Sequence, residues 1–195
     1  MLWIVIAAGL TAAQPILPGS WFSDFEWEKL VAPKGGHALN FVRVIVSPDG
    51  KPEDCKIEAT SEIPALDKET CAIILKRGRF KSARWADGSG AYAVYRKDFV
   101  WADLDAFHYS RPVDVEVGIS RMPKGLRAPM AFSLTFAVDA AGSKSSCEPP
   151  ERMDASLASI ACKQIMENYP VTPAHNAAGV SVPSVQNALV SFVTE

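Results

Sequence analysis

From Met130 to Val138 apolar and smaller residues alternate strictly. Met130, Phe132, Leu134, Phe136 and Val138 stand against Ala131, Ser133, Thr135 and Ala137, the pattern of a strand with one buried face. An earlier stretch reads alike: Val42, Val44 and Val46 form a core-facing row, with Phe41 and Ile45 partly covering the other face. Pro48-Asp49-Gly50 then predicts a turn, because Pro presets φ and Gly accepts a positive one. Cys55, Ile57 and Ala59 supply the inward face of a second strand. A helix follows Pro64, with Leu66, Thr70, Cys71, Ile74 and Leu75 on one stripe and Asp67, Lys68 and Glu69 facing out. Acidic residues lead this helix, Lys76, Arg77 and Arg79 end it in keeping with its dipole, and Gly78 stops it. A third strand is predicted over 92–101. In the later stretch Leu157, Ile160, Ala161, Cys162, Ile165 and Met166 form the helix stripe, and the last strand lies between Val180 and Val193, interrupted by Pro183.

These two stretches are copies of one unit. Val46, Gly50 and Cys55 recur as Val138, Gly142 and Cys147, an offset of 92 residues; Leu66 and Cys71 recur as Leu157 and Cys162, an offset of 91. One deletion aligns them, and Trp101 and Phe192 close the two segments. Pro33-Lys-Gly35 and Pro123-Lys-Gly125 precede the first strands. The expected organisation is an export signal over 1–13, an N-terminal segment over 14–30, a first repeat over 31–101, a linker over 102–126 and a second repeat over 127–195. The linker holds a candidate extra strand at Val113–Val117.

With 195 residues, 48% of them apolar, the chain is globular in composition. A net charge of −2 with scattered Lys and Arg gives no nucleic-acid footprint. Met1 to Leu10 is an apolar run ending in Thr11-Ala12-Ala13, which reads as a cleaved export signal; a truncated start or a buried terminal strand are the alternatives. As a helix it would reach about 20 Å, short of a hydrocarbon layer of about 30 Å. Each repeat carries two cysteines, 16 and 15 residues apart, unlike the short spacings of zinc or thiol-redox motifs. Equivalent positions in two repeats argue for Cys55–Cys71 and Cys147–Cys162 disulfides, the other reading being four buried free thiols.

The string Ser47-Pro-Asp-Gly-Lys-Pro-Glu-Asp-Cys55, then Ala65-Leu-Asp67, Thr70-Cys71, Arg77-Gly-Arg-Phe80-Lys-Ser-Ala83 and Phe99-Val-Trp101, resembles the TonB C-terminal domain family over about 38–101. Ser82 stands where the family has Pro. In the second copy Asp154-Ala-Ser-Leu157 replaces the Leu-Asp helix start, while Tyr169-Pro-Val-Thr-Pro-Ala174 keeps the exit. The resemblance implies an α+β fold of two tandem modules, each a β-hairpin, a helix and a third strand forming a three-stranded antiparallel sheet backed by the helix. It also implies a periplasmic, Gram-negative location and capture of an extended peptide, the TonB box of an outer-membrane receptor, by addition to the last strand. Tyr92, Val94, Tyr95, Arg96 and Phe99 are then the candidate edge, matched by Val182 to Phe192 in the second copy. Tyr92, Tyr95 and Arg96 are expected to face outward, against the plainer reading that they are cross-strand packing pairs. The membrane anchor and Pro-rich spacer of a full energy transducer are not in this sequence. Trp21-Phe-Ser-Asp-Phe-Glu-Trp27 stands where the family's domain opens, as an aromatic cap.

Little suggests an enzyme. His37, His108 and His175 lie in turns or linkers without a helix-spaced partner, and Ser145-Ser146 lacks the glycines of a nucleophile elbow. No metal, cofactor, small-molecule substrate or nucleic acid is expected. The partner is an outer-membrane receptor or another envelope protein, with a homodimer as a further option. A structural protein whose two last strands pair with each other is the alternative.

Overall fold

A computed structural model of the chain describes residues 9–23, 38–101 and 112–194. Residues 1–8 of the expected export signal, His37 and His108, the linker segment 102–111, and Phe25 and Trp27 of the expected aromatic cap lie outside the described residues. A two-residue strand, β1 (Gln14–Pro15), precedes the first hairpin, built from β2 (Ala38–Val46) and β3 (Pro52–Ala59). Helix α1 (Pro64–Arg77), the short β4 (Phe80–Lys81) and β5 (Ala83–Arg84), and the long β6 (Gly90–Trp101) complete the first half. Then come β7 (Val115–Ile119), the hairpin of β8 (Met130–Val138) and β9 (Lys144–Glu148), and helix α2 (Ala155–Asn168). The short β10 (Ala174–His175) and β11 (Ser181–Val182) lead into β12 (Ser184–Thr194). The class is α+β.

Both hairpins turn on a glycine. Gly50 and Gly142 have φ of 82° and 91°, where L side chains are strained. Gly50 is constrained twice, because a Cβ there would collide with the Phe80 carbonyl, and the Phe80 amide donates back to the Gly50 carbonyl at 2.9 Å. Each hairpin is tied to its helix by a disulfide, Cys55–Cys71 and Cys147–Cys162, with Cα atoms 5.5 and 5.7 Å apart. Closing loops of this length stabilises the folded state by about 3 kcal/mol each through loop-closure entropy.

The strands join in the order β3-β2-β6-β12-β8-β9, so the two halves form one sheet. Within each half the neighbours are antiparallel; the seam between halves is parallel and short, Tyr92–Val94 against Ser184–Gln186. A palindromic order with a parallel centre places the two helices on opposite faces. Side-chain alternation along β12 agrees: Val185 packs in the core of α1, whereas Ala188, Val190 and Phe192 pack in the core of α2. The residues following α2 then cross the bare face of the first half. Ala174, after α2, seals Ile45 and Val94 on the face away from α1. The linker strand foreseen near Val113–Val117 is β7, running parallel to β12 from Val115–Val190 to Ile119–Thr194. Pro183 does break the last strand, separating β11 from β12.

Three local expectations need correction. Ala59 does not face the core with Cys55 and Ile57. A bulge pairs Phe41 with Ala59 but Val42 with Ile57, turning Ala59 to the other face. On α1 the buried stripe is Leu66, Thr70, Ile73 and Ile74, and Leu75 is exposed. Asp67 is no solvated face residue: it accepts hydrogen bonds from Asn40 Nδ2 at 3.1 Å, Thr60 Oγ1 at 2.6 Å and the Ser61 amide at 3.0 Å. Gly78 does end α1, but with φ of −54°. Its requirement is close approach, since a Cβ would strike the Ile74 carbonyl. At the N-terminus, Thr11 bridges Arg84 through two backbone hydrogen bonds of 3.0 Å and Ala13 is buried. Trp21 packs on Phe80 and Phe22 on Trp101, at centroid distances of 5.3 and 5.2 Å.

Candidate functional site

The five candidate edge residues share β6 but not one environment. Tyr92 and Val94 sit in the parallel seam opposite Ser184 and Gln186. Tyr95 and Phe99 turn toward the α1 side, where Tyr95 meets Phe80 edge-on at 5.1 Å and Phe99 meets Phe22 at 5.6 Å. Arg96 points to the opposite face. Its Nε donates to Glu58 Oε2 at 3.1 Å and its Nη1 to the Tyr169 hydroxyl at 3.2 Å. Tyr92, Tyr95 and Arg96 are therefore half-buried packing residues rather than outward-facing side chains. On the side of β6 away from β2, strands among the described residues cover it at Gly90–Ala91 (β5) and Tyr92–Val94 (β12). Past Val94, β12 turns from β6 to β7.

The face opposite α1 carries a concentration of charge that the sequence reading passed over. Arg43 stands directly across from Arg96, and Phe41 across from Asp98. Arg43 is 7% exposed; one terminal nitrogen donates to the Pro173 carbonyl at 3.0 Å while its Nε is buried without a hydrogen-bond partner. Burial, and after it the neighbouring Arg96, hold the Arg43 guanidinium below its usual range, with Glu58 and Asp54 pulling the other way. Asp98 is 9% exposed, and its Oδ1 has no hydrogen-bond partner; the Lys97 ammonium lies 3.6 Å away.

Beside this row opens a cleft of about 330 Å³, lined by Leu39, Phe41, Ala59, Thr60, Pro112, Val113 and Asp114. Leu39 and Phe41 form its floor because they alternate with the buried Asn40 and Val42. Ala59 joins them through the bulge, and 112–114 forms the opposite wall on its way to β7. The Asp114 carboxylate accepts from the Leu189 amide at 2.7 Å, fixing that wall to β12. A pocket of this kind, apolar with a few polar groups, can hold a side chain or small ligand. The signal that could have revealed this face is the in-phase row Arg96, Asp98, Val100 on β6 and the single Arg43 within Phe41-Val-Arg-Val-Ile-Val46.

Among the described residues no three His, Cys, Asp or Glu side chains converge as metal ligands. His175 Nε2 lies 3.1 Å from Ser181 Oγ in an exposed contact between β10 and β11, and Ser145 and Ser146 lie within β9. No described helix is long and apolar enough to cross a membrane. Comparison of the chain with protein-family models, with curated proteins and with solved structures finds no match.

Proposed function

We propose that this chain is a non-catalytic periplasmic protein of the TonB C-terminal type, built from two tandem modules, that binds an extended segment of an outer-membrane receptor or other envelope protein by strand addition to β6. The observation that carries the reading is the limited cover of β6 among the described residues. Described strands pair with its outer side as far as Val94, and Arg96–Val100 follow. Five residues offer a ladder of about 17 Å, enough for backbone hydrogen bonds to supply affinity while alternate side chains supply selectivity. Tyr92 and Val94 then frame the start of the binding edge rather than form it. Two disulfides suit an oxidising compartment. The sequence resemblance supplies the class of partner. A display library of random linear peptides, selected on the intact oxidised protein, tests this. Enriched peptides should slow amide hydrogen exchange at 96–100; failure of every enriched peptide to do so would remove the reading.

A second reading is favoured by β12, which is flanked by β8 on one side and by β6 and β7 on the other. In it the two last strands serve each other, and the chain is a structural envelope protein without peptide affinity. Absence of any enriched peptide, with 96–100 already protected in the protein alone, is its expected outcome.

A further inference from the structure

We propose that the turn at Ile16–Leu17, with Arg79 and Lys81 beside it, seats the protein on the surface of an anionic phospholipid bilayer. Leu17 is 74% exposed and held at φ 45° and ψ 56°, a left-handed conformation that strains a leucine. Ile16, next to it, is 48% exposed. The turn is built rather than loose. The Leu17 carbonyl accepts from the Ser20 amide at 2.9 Å and from Ser20 Oγ at 2.8 Å, and the Ile16 carbonyl accepts from Nε1 of the buried Trp21 at 3.0 Å. Trp21 is fixed in turn by Arg77, whose Nη1 donates to its carbonyl at 3.0 Å. Two aliphatic side chains are thus presented to solvent on a rigid frame, and neither fills the core.

Strand register brings cations to the same place. Gln14 pairs with Lys81 and Pro15 with Phe80, and the next pair, Ile16 and Arg79, is joined by an amide-to-carbonyl hydrogen bond of 2.8 Å. Opposed residues of an antiparallel pair share a side. With Phe80 turned into the core, Gln14, Ile16, Arg79 and Lys81 line the outer side, and all four are exposed. The ion pairs among the described residues involve Lys51, Lys56, Arg96 and Lys97, not Arg79 or Lys81. Every charged side chain from Thr70 to Ala86 is basic, and there is no charge from Gly9 to Phe22. The helix dipole accounts for Lys76 and Arg77 in the last turn of α1, but Arg79 and Lys81 lie beyond it. An aliphatic tip backed by cations suits a bilayer: the acyl boundary takes Ile16 and Leu17, and headgroup phosphates take the guanidinium and ammonium. A soluble polyanion would leave the tip unused, and a second copy would set Arg79 and Lys81 against like charges.

The test is co-sedimentation of the full oxidised chain with vesicles of phosphatidylglycerol and phosphatidylcholine, against vesicles of phosphatidylcholine alone. Binding is expected to be stronger on the anionic vesicles and to weaken as salt rises. Leu17→Gly should reduce it about tenfold. The same change should leave the melting temperature nearly unchanged, because glycine relieves the left-handed strain while adding freedom to the unfolded chain. Arg79→Gln and Lys81→Gln should each reduce binding to anionic vesicles about fivefold. All three variants keep residues 1–13, so the contribution of that apolar run is common to them and to wild type. Binding that these variants leave intact, equal binding to both kinds of vesicle, or no binding at all would overturn the proposal. So would a self-associated form in sedimentation that Leu17→Gly disperses without any vesicle binding, which would assign the tip to a second copy. Exchange at 96–100 plays no part in these measurements, so strand addition stands or falls separately.

Discussion

The two halves of the sheet solve the same folding problem with different chemistry. Beneath α1, Asn40 Nδ2 donates to Asp67 and to Thr70 Oγ1 at 3.0 Å, and Thr70 donates to the Leu66 carbonyl at 2.7 Å. The equivalent positions in the second half are Phe132, Ala158 and Ala161, all apolar. The helix starts differ as well. Ile63 caps α1 without a side-chain hydrogen bond, so Asp67 organises the entering loop from within. Asp154 caps α2 directly, accepting from the Ser156 and Leu157 amides at 2.9 and 3.3 Å. At the helix ends, a Cβ at Gly78 would press on Pro52 in the first half. In the second, Lys144, at the position equivalent to Pro52, donates to the Ile165 and Tyr169 carbonyls, both at 2.6 Å. On the faces away from the helices, Phe41, Arg43, Arg96 and Asp98 are matched by Ser133, Thr135, Asn187 and Leu189. What the pair teaches is that the hairpin, disulfide and helix form a frame indifferent to how its interior is filled. The charged row on that face belongs to one copy alone.

The largest test of that frame lies at its closing aromatics. Trp101 and Phe192 are both fully buried, so Trp101→Ala and Phe192→Ala should each cost about 3–5 kcal/mol in urea unfolding. If the halves share one cooperative sheet, either change lowers a single transition; two separable transitions would break the comparison. Next, Cys55→Ala/Cys71→Ala and Cys147→Ala/Cys162→Ala should each lose about 3 kcal/mol, and by similar amounts, because the closed loops span 16 and 15 residues. A large inequality would mean that one half depends on its crosslink for more than loop closure. Smallest is the polar network. Asp67→Asn should cost about 1–3 kcal/mol at neutral pH, whereas Ala158→Asp in the second half should bring no gain. Burial raises the Asp67 pKa, but hydrogen bonds from Thr60, Ser61 and Asn40 outweigh it and hold the carboxyl below its ordinary 3.8. A depressed carboxylate stabilises the fold above its unfolded pKa and loses that contribution as pH falls through the folded one. The difference in melting temperature between wild type and Asp67→Asn should therefore be full at neutral pH and shrink as pH falls below about 4.

The repeat, the hairpin turns and both disulfides were legible in the sequence because each is a local signal: a spacing, a Gly, an alternation. Ala59 was misread because a single extra residue in β3 reverses the alternation without changing composition. Asp67 was misread because a helical wheel assigns charge to the surface and cannot show that Asn40 and the Thr60–Ser61 loop wait for it. The seam between Tyr92–Val94 and Ser184–Gln186 left no mark at all, since three parallel pairs between strands 92 residues apart impose no periodicity. The cleft depends on that seam and on the path of 112–114, so it was hidden for the same reason.

The cover that the second half lends to the first has a temporal consequence. When Ile45 and Val94 emerge during synthesis, the Ala174 that shields them is 80 residues behind Val94. Throughout that interval the nascent first half carries a bare greasy surface, so a chain arrested before β10 is a natural client for a holding chaperone.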